Sequence, residues 1–295
     1  MNNVYTPNHP LLFDRLTLRR HRERAASGDW PRFGFLFHEI SDRLAERAED
    51  ITRSFDTVLD LGCHGGSFGA FMRQQGRAKN LVSAELSPSM LARAQGNKVL
   101  LDEEFLPFAP NSFDLIGSVL GLHWTNDLPG ALVQIFRALK ADGFFLGALF
   151  GVETLQELKD CLTRAELEIR GGISPRVSPF TEVRDAGALL QRAGFTLPVS
   201  DTETLTLKYQ TPFDLMRELR GMGETNCLID RQKMFTDRKV LMRAAELYFE
   251  EYADDDGLIP ATFQVIYLTG WTPHDSQQKP LKPGSGQTNL KDHLS

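Results

Sequence analysis

Apolar positions along this chain change period several times, from helical to strand-like and back. Between residues 34 and 51 they recur at helical spacing, at Phe37, Ile40, Leu44, Ala45 and Ala48, which predicts an amphipathic helix lying beside a sheet. A short β-branched and aliphatic run, Thr57-Val58-Leu59, then meets an acid, Asp60. A glycine-dense turn follows at Gly62, Gly65, Gly66 and Gly69, with Phe68, Phe71 and Met72 at helical spacing. Strand, glycine loop and helix in that order form the opening unit of a nucleotide-binding α/β sheet. Further strands are predicted at 80–85, 98–101, 113–120 and 144–150. Helices are predicted over 68–75, from Ser87-Pro88 onward and over 127–139, with a turn at Lys140-Ala141-Asp142-Gly143. Such alternation implies a parallel, doubly wound sheet with right-handed crossovers.

The second half reads differently. Helices are predicted at 154–170, 181–193, 212–219 and 238–252, and strands at 204–209 and 263–271. Residues 1–33 read as an N-terminal arm, its first dozen residues loose. Residues 34–271 read as one domain, with a core at 52–151 and helical lid elements and final strands at 152–271. The polar stretch 272–295, rich in Pro, Gly, Gln and Lys, reads as a disordered tail.

Composition narrows the function classes. At 41% hydrophobic and 24% charged residues the chain is globular, and its net charge of −6 gives no global electrostatic support for nucleic-acid binding. Five arginines and a histidine fall between Arg15 and Arg24. They read as a solvated helix face; the sharper alternative is an arm that touches an acidic partner or closes over a ligand. Cys63, Cys161 and Cys227 are far apart, which favours a reducing compartment. No apolar run approaches the ~18 residues of a membrane span. With neither a signal nor a transit pattern at the start, a cytoplasmic protein is expected.

The glycine loop limits what can bind. The dinucleotide spacing G-x-G-x-x-G is not met. Asp60, Gly62 and Gly66 instead resemble the acid-x-Gly-x-Gly-x-Gly loop of class I S-adenosylmethionine-dependent methyltransferases, with Cys63 and His64 between them. His64 stands at the middle glycine position, where a side chain either weakens binding or shifts the loop so that Gly65 takes the role. Glu85, followed by Leu86, ends the second strand, where a carboxylate can accept both ribose hydroxyls. The resemblance puts Asp102 and Glu103 near the adenine amino group. Leu120, His123 and Trp124 close the fourth strand at the carboxyl edge, where ligands bind in open α/β sheets. Trp124 suits cation–π contact with a sulfonium, and His123 is the candidate base. The fold implied is a class I methyltransferase, Rossmann-like doubly wound sheet with a helical lid-like insertion in its C-terminal half.

A narrower resemblance covers nearly the whole chain. Phe13-Asp14-Arg15, the run from Asp102 to Phe108, Leu122-His123-Trp124 with Asn126-Asp127, Ser178-Pro179-Phe180 and Gly221-Met222-Gly223-Glu224 with Asn226-Cys227 are similar to the mitochondrial complex I assembly family of methyltransferase-like proteins. Its human member is an arginine hydroxylase. The malonyl-carrier-protein methyltransferases of biotin synthesis are more distant neighbours. The resemblance implies S-adenosylmethionine as cofactor and a protein substrate, an arginine of a complex I subunit. Three readings follow: methyl transfer, arginine hydroxylation, or a non-catalytic assembly factor that keeps the fold. The seven histidines offer no facial triad of two histidines and a carboxylate, so no metal site is expected. Neither a nucleic-acid partner nor an integral membrane segment is expected.

Overall fold

The computed structural model describes residues 11–49, 51–52 and 54–278; the first ten residues and the tail beyond 278 lie outside them. Three helices, α1 (Arg15–Ser27), α2 (Trp30–Phe33) and α3 (Phe35–Arg47), precede the sheet. The expected unit follows as β1 (Phe55–Leu61), α4 (Ser67–Gln74), β2 (Ala78–Glu85), α5 (Pro88–Leu91) and β3 (Asn97–Leu100). Then come β4 (Phe113–Val119), a 3-10 turn (Leu122–Trp124), α6 (Leu128–Ala138) and β5 (Leu139–Phe150). The C-terminal half adds α7 (Gln156–Arg170), α8 (Val183–Ala193), β6 (Thr196–Tyr209), α9 (Pro212–Met222), α10 (Arg238–Tyr252) and β7 (Ile259–Trp271).

The sheet order is β3-β2-β1-β4-β5-β7-β6. The first five strands are parallel, and β7 runs antiparallel to both β5 and β6. The sheet is therefore mixed rather than wholly parallel. Successive residues of the central strands face opposite cores, Val58 and Leu115 on one side, Leu59 and Ile116 on the other. This is the period of two expected of strands buried on both faces. The first core joins α3, α4, α7 and α10, and the second joins α6 and α8.

Two expectations need correction. The predicted turn at 140–143 is a bulge inside β5: pairing slips from Phe113↔Leu139 to Leu115↔Phe144, and Asp142 takes φ 58. The slip absorbs extra residues in one strand without ending it. The start of the predicted tail is also tied down. Thr272 N–H donates to Gly143 O (2.9 Å), and Thr196 Oγ1 donates to Gln277 Oε1 (2.8 Å).

Helix α1 positions the site. Asp14 caps it, accepting from Thr17 N–H at 3.0 Å. Its buried stripe runs through Leu18, Arg22 and Ala25, so an arginine occupies a place that the helical period reserves for an apolar side chain.

Candidate functional site

The carboxyl ends of β1, β2 and β4 meet beneath α1. After β1 the chain turns through Gly62 (φ 65) and Gly66 (φ 82). A Cβ on Gly66 would lie 2.7 Å from both Cα and Cβ of Ala94, so only glycine lets the loop pass. Asp60 Oδ2 accepts from Gly69 N–H at 3.0 Å and ties strand to helix. Burial raises its carboxyl to about 7 despite that hydrogen bond, and Glu85 adds to the rise. The Cys63 thiol is also raised, by burial and then by Asp60 and Glu85.

His64 does not obstruct the loop. Its backbone takes φ 46 and its ring lies 4.3 Å from the Phe37 ring and stacks near Trp30 at 6.3 Å. Nε2 sits 3.2 Å from Leu120 O, at a residue that itself has φ 48. Burial, then the nearby Arg22 charge, lower its pKa to about 3, so the ring is neutral. The backbone N–H of His64 still points at the expected acid, donating to Glu85 Oε2 at 3.0 Å. The slot that receives the ring comes from α2 and α3, outside the glycine motif.

The arginines of α1 are not a solvated face. Arg22 is fully buried, and its Nη1 donates to Glu85 Oε1 (2.8 Å) and Glu103 Oε1 (2.6 Å), both also fully buried. Arg15 donates to Asp102 Oδ1 (2.7 Å), to Glu103 and to Trp124 O (3.1 Å). Burial alone would raise the Glu103 pKa, but Arg22 and Arg15 hold it at about 2. Arg19 and Arg20 alone of the five are exposed. Glu85 also accepts from Ser87 N–H at 3.0 Å, so both of its oxygens are in use. Leu86 packs on a small cluster with Phe13, Leu18 and Trp124.

The fourth strand delivers His123 and Trp124 through the 3-10 turn, and both meet Glu224. Trp124 Nε1 donates to Glu224 Oε2 at 2.9 Å, and His123 Nε2 lies 3.4 Å from the same oxygen. Burial raises the Glu224 pKa, but its hydrogen bond with His123 prevails and holds it below the usual range. Phe150 and Phe180 flank His123 at 4.9 and 5.6 Å. Glu224 reaches this place because Gly221 and Gly223 bring α9 against α2 and α1: a Cβ on Gly221 would strike the Phe33 ring at 2.3 Å. The sequence signal for this residue is the acid that follows Gly221-Met222-Gly223.

Among the described residues, buried side-chain atoms without hydrogen-bond partners include Arg22 Nε and Nη2, Asp60 Oδ1, His64 Nδ1, Ser118 Oγ, His123 Nδ1 and Glu224 Oε1. Native interiors rarely leave such groups unpaired. A cavity of about 710 Å³ opens beside Trp124 and Glu224 and extends between α7, α9 and α1. His21-Arg22-Glu23 has the His-x-Glu spacing that a metal site can use, but its ends diverge. His21 Nδ1 is 2.8 Å from Thr225 Oγ1, whereas Glu23 accepts from Ser87 Oγ at 2.8 Å. Among the described residues no group of three His, Cys, Asp or Glu side chains is placed to hold a metal ion. None of their helices is long and apolar enough to cross a membrane.

A family model described as a methyltransferase domain matches residues 59–147. A Danio rerio protein named arginine-hydroxylase NDUFAF5, mitochondrial, is 43% identical over 287 residues, covering 95% of this chain and 89% of that one. The Homo sapiens protein of the same name is 44% identical, covering 95% and 82%. A malonyl-[acyl-carrier protein] O-methyltransferase of Halorhodospira halophila is 32% identical, covering 90% of each chain. Among solved structures, the YcgJ protein of Bacillus subtilis aligns with a TM-score of 0.54 at 18% identity, covering 80% of this chain and 99% of that one. A SAM-dependent methyltransferase of Thermotoga maritima gives 0.50 at 15% identity, covering 86% and 99%. The class I methyltransferase architecture expected from the glycine loop is thus present. The expected cytoplasmic location is overturned, because the relatives at 43% and 44% identity are named as mitochondrial.

Proposed function

The chain belongs to the family of the mitochondrial arginine-hydroxylase NDUFAF5 proteins, and from that membership we propose that it binds S-adenosylmethionine beneath α1 and modifies a protein substrate in complex I assembly. The observation that carries this reading is the set of unpartnered polar atoms in the cleft, on Asp60, His64, Ser118 and Arg22. A buried site with unmet donors and acceptors fits a ligand that carries both. Glu85 would hold the ribose hydroxyls, and Asp102 with Glu103 would face the adenine amine. The backbone from Gly62 through Cys63 and His64 to Gly66 would line the amino-acid end, walled by Leu86 and Leu120. Bound there, the cofactor supplies an electrophilic methyl group on a sulfonium.

The chain's own groups do the remaining work. Arg22 has to leave Glu85, whose two oxygens are already committed. Trp124, Phe150 and Phe180 exclude water at the inner end of the cavity. Glu224 orients His123 through Nε2, which leaves Nδ1 as the proton acceptor for an incoming nucleophile. Titration calorimetry with adenosylmethionine tests the cleft; an isotherm without heat at millimolar ligand rejects it. The relatives' printed names favour a second reading, arginine hydroxylation. Intact-mass analysis of the candidate complex I subunit, with and without this gene, separates the two by a gain of one methyl group or one oxygen, and an unchanged mass rejects both.

A further inference from the structure

We propose that the cavity beside Trp124 receives an acidic stretch of a protein substrate, one carboxylate of which docks between Arg24 and Arg220. The inference rests on the reading of this cavity as the acceptor side of the cofactor cleft. Five cations line it (Arg24, Arg176, Arg220, Arg231 and Lys233), against one carboxylate, Glu224. Two of the cations are committed: Arg176 to Glu166, and Arg231 to Asp14 at 3.0 Å. Glu224 is committed to Trp124 and His123. Among the described residues Arg24, Arg220 and Lys233 form ion pairs with no carboxylate. Arg24 donates to Thr225 Oγ1 at 3.1 Å, but its buried Nε has no partner. Burial, and then the like charge of Arg220, depress its pKa.

Like charges facing one cavity are costly unless an anion joins them. A positive concavity with low-dielectric walls also draws anionic ligands toward it. The rim argues for a polypeptide rather than a small acid. Met234 is 78% exposed and Phe235 fully so, and they sit between the lining residues Lys233 and Thr236 as ready apolar anchors. A bare guanidinium entering this cavity is repelled by the same pair, so a substrate arginine requires acidic neighbours.

Fluorescence anisotropy on the full chain tests this, using a labelled peptide of alternating Asp and Leu around one arginine, and its Asn counterpart. The acidic peptide is expected to bind, more weakly as salt rises. The Asn counterpart is expected to bind at least tenfold less tightly, a factor that corresponds to about 1.4 kcal/mol. R24Q/R220Q should lose roughly tenfold per guanidinium, whereas R19Q/R20Q, on the exposed face of the same helix, should bind as the parent does. Equal binding of the two peptides, or undiminished binding by R24Q/R220Q, overturns the proposal. Succinate competing as strongly as the peptide overturns the polypeptide part. If R24Q/R220Q does not fold, M234S/F235S serves instead: its loop is exposed, and undiminished peptide binding refutes the docking. Calorimetry with adenosylmethionine on the same preparations keeps the two readings apart, since peptide binding without cofactor binding rejects the cleft and spares the cavity.

Discussion

Replacing Arg22 with methionine should destabilise the free protein and tighten its hold on adenosylmethionine. The substitution keeps volume and removes a charge that is fully buried with Glu85 and Glu103. Removing one partner of a buried ion pair typically costs ~3–5 kcal/mol. The low end applies here, because Glu103 keeps Arg15 and Glu85 keeps the N–H groups of His64 and Ser87. A loss of about 3 kcal/mol in a chain of this size lowers Tm by roughly 6–12 °C. On the proposed reading, a ribose bound at Glu85 displaces the same contact. Its removal should therefore improve cofactor affinity by up to about a hundredfold, the equivalent of ~2.7 kcal/mol. Ligand at a hundred times its Kd should then restore about 2.7 kcal/mol of stability. Calorimetric Kd values and thermal melts of R22M, with and without cofactor, give both quantities. If affinity falls along with stability, Arg22 is a contact of the bound cofactor and the displacement argument is wrong. If neither protein binds the cofactor, the assembly-factor reading gains the ground.

Other perturbations test the same arrangement. His64→Gln should lose stability at pH 8, and the loss should shrink on acidification. The buried ring titrates near 3 and an unfolded histidine near 6.5, so below pH 6.5 only the unfolded parent takes up that proton, at a cost to the parent of about 1.4 kcal/mol per pH unit. Chemical denaturation at pH 8 and pH 5 measures it, and a pH-independent difference refutes the neutral ring. Glu224→Gln should leave the fold and cofactor binding intact while lowering turnover roughly 10²–10⁴-fold, as for loss of a proton-transfer partner; single-turnover assays with unchanged rates would remove the dyad from the chemistry. Gly223→Ala, at φ 83 and with Ala25 Cβ and His21 O only 3.4 Å from the added carbon, should cost about 1–2 kcal/mol from left-handed backbone alone. Thermal melts check it, and a neutral substitution would refute the strain assigned to this left-handed position.

The sheet was legible because its strands are buried on both faces, so Val58-Leu59 and Leu115-Ile116 leave continuous apolar runs. The N-terminal half of β6 was not, because it is an edge strand: Leu197 and Val199 are more than half exposed and interleave with polar residues. The glycine loop and Glu85 were legible from spacing, and Asp102 with Glu103 from the family resemblance; β1, β2 and β3 run parallel, so their carboxyl ends bring these residues to one sheet edge. Arg22 and Trp30 were missed for opposite reasons. Arg22 lies in an arginine run that looks solvated, and only its place in the Leu18-Ala25 stripe marks it as internal. Trp30 looks like ordinary core, and nothing local says that it will accommodate the His64 ring.

Motifs far apart in sequence converge on one problem of charge. Glu85 and Glu103 are fully buried, and buried carboxylates without countercharges are expensive. Arg15 and Arg22 supply the countercharge, Asp14 caps the helix that carries them, and Phe13 seats that helix edge-on against Trp124 at 5.2 Å. Asn126 holds the approach to α1, accepting from the N–H groups of Leu12 and Phe13, and is itself held by Glu104. One face of α1 therefore completes the cleft through Arg22, while His21 and Arg24 line the neighbouring cavity. A ligand that takes Glu85 from Arg22 works against the docking of this helix, and a ligand in the cavity acts on the same helix from its other side. On the proposed reading both sites share α1, and whatever factor one ligand imposes on the affinity of the other must be returned in equal measure.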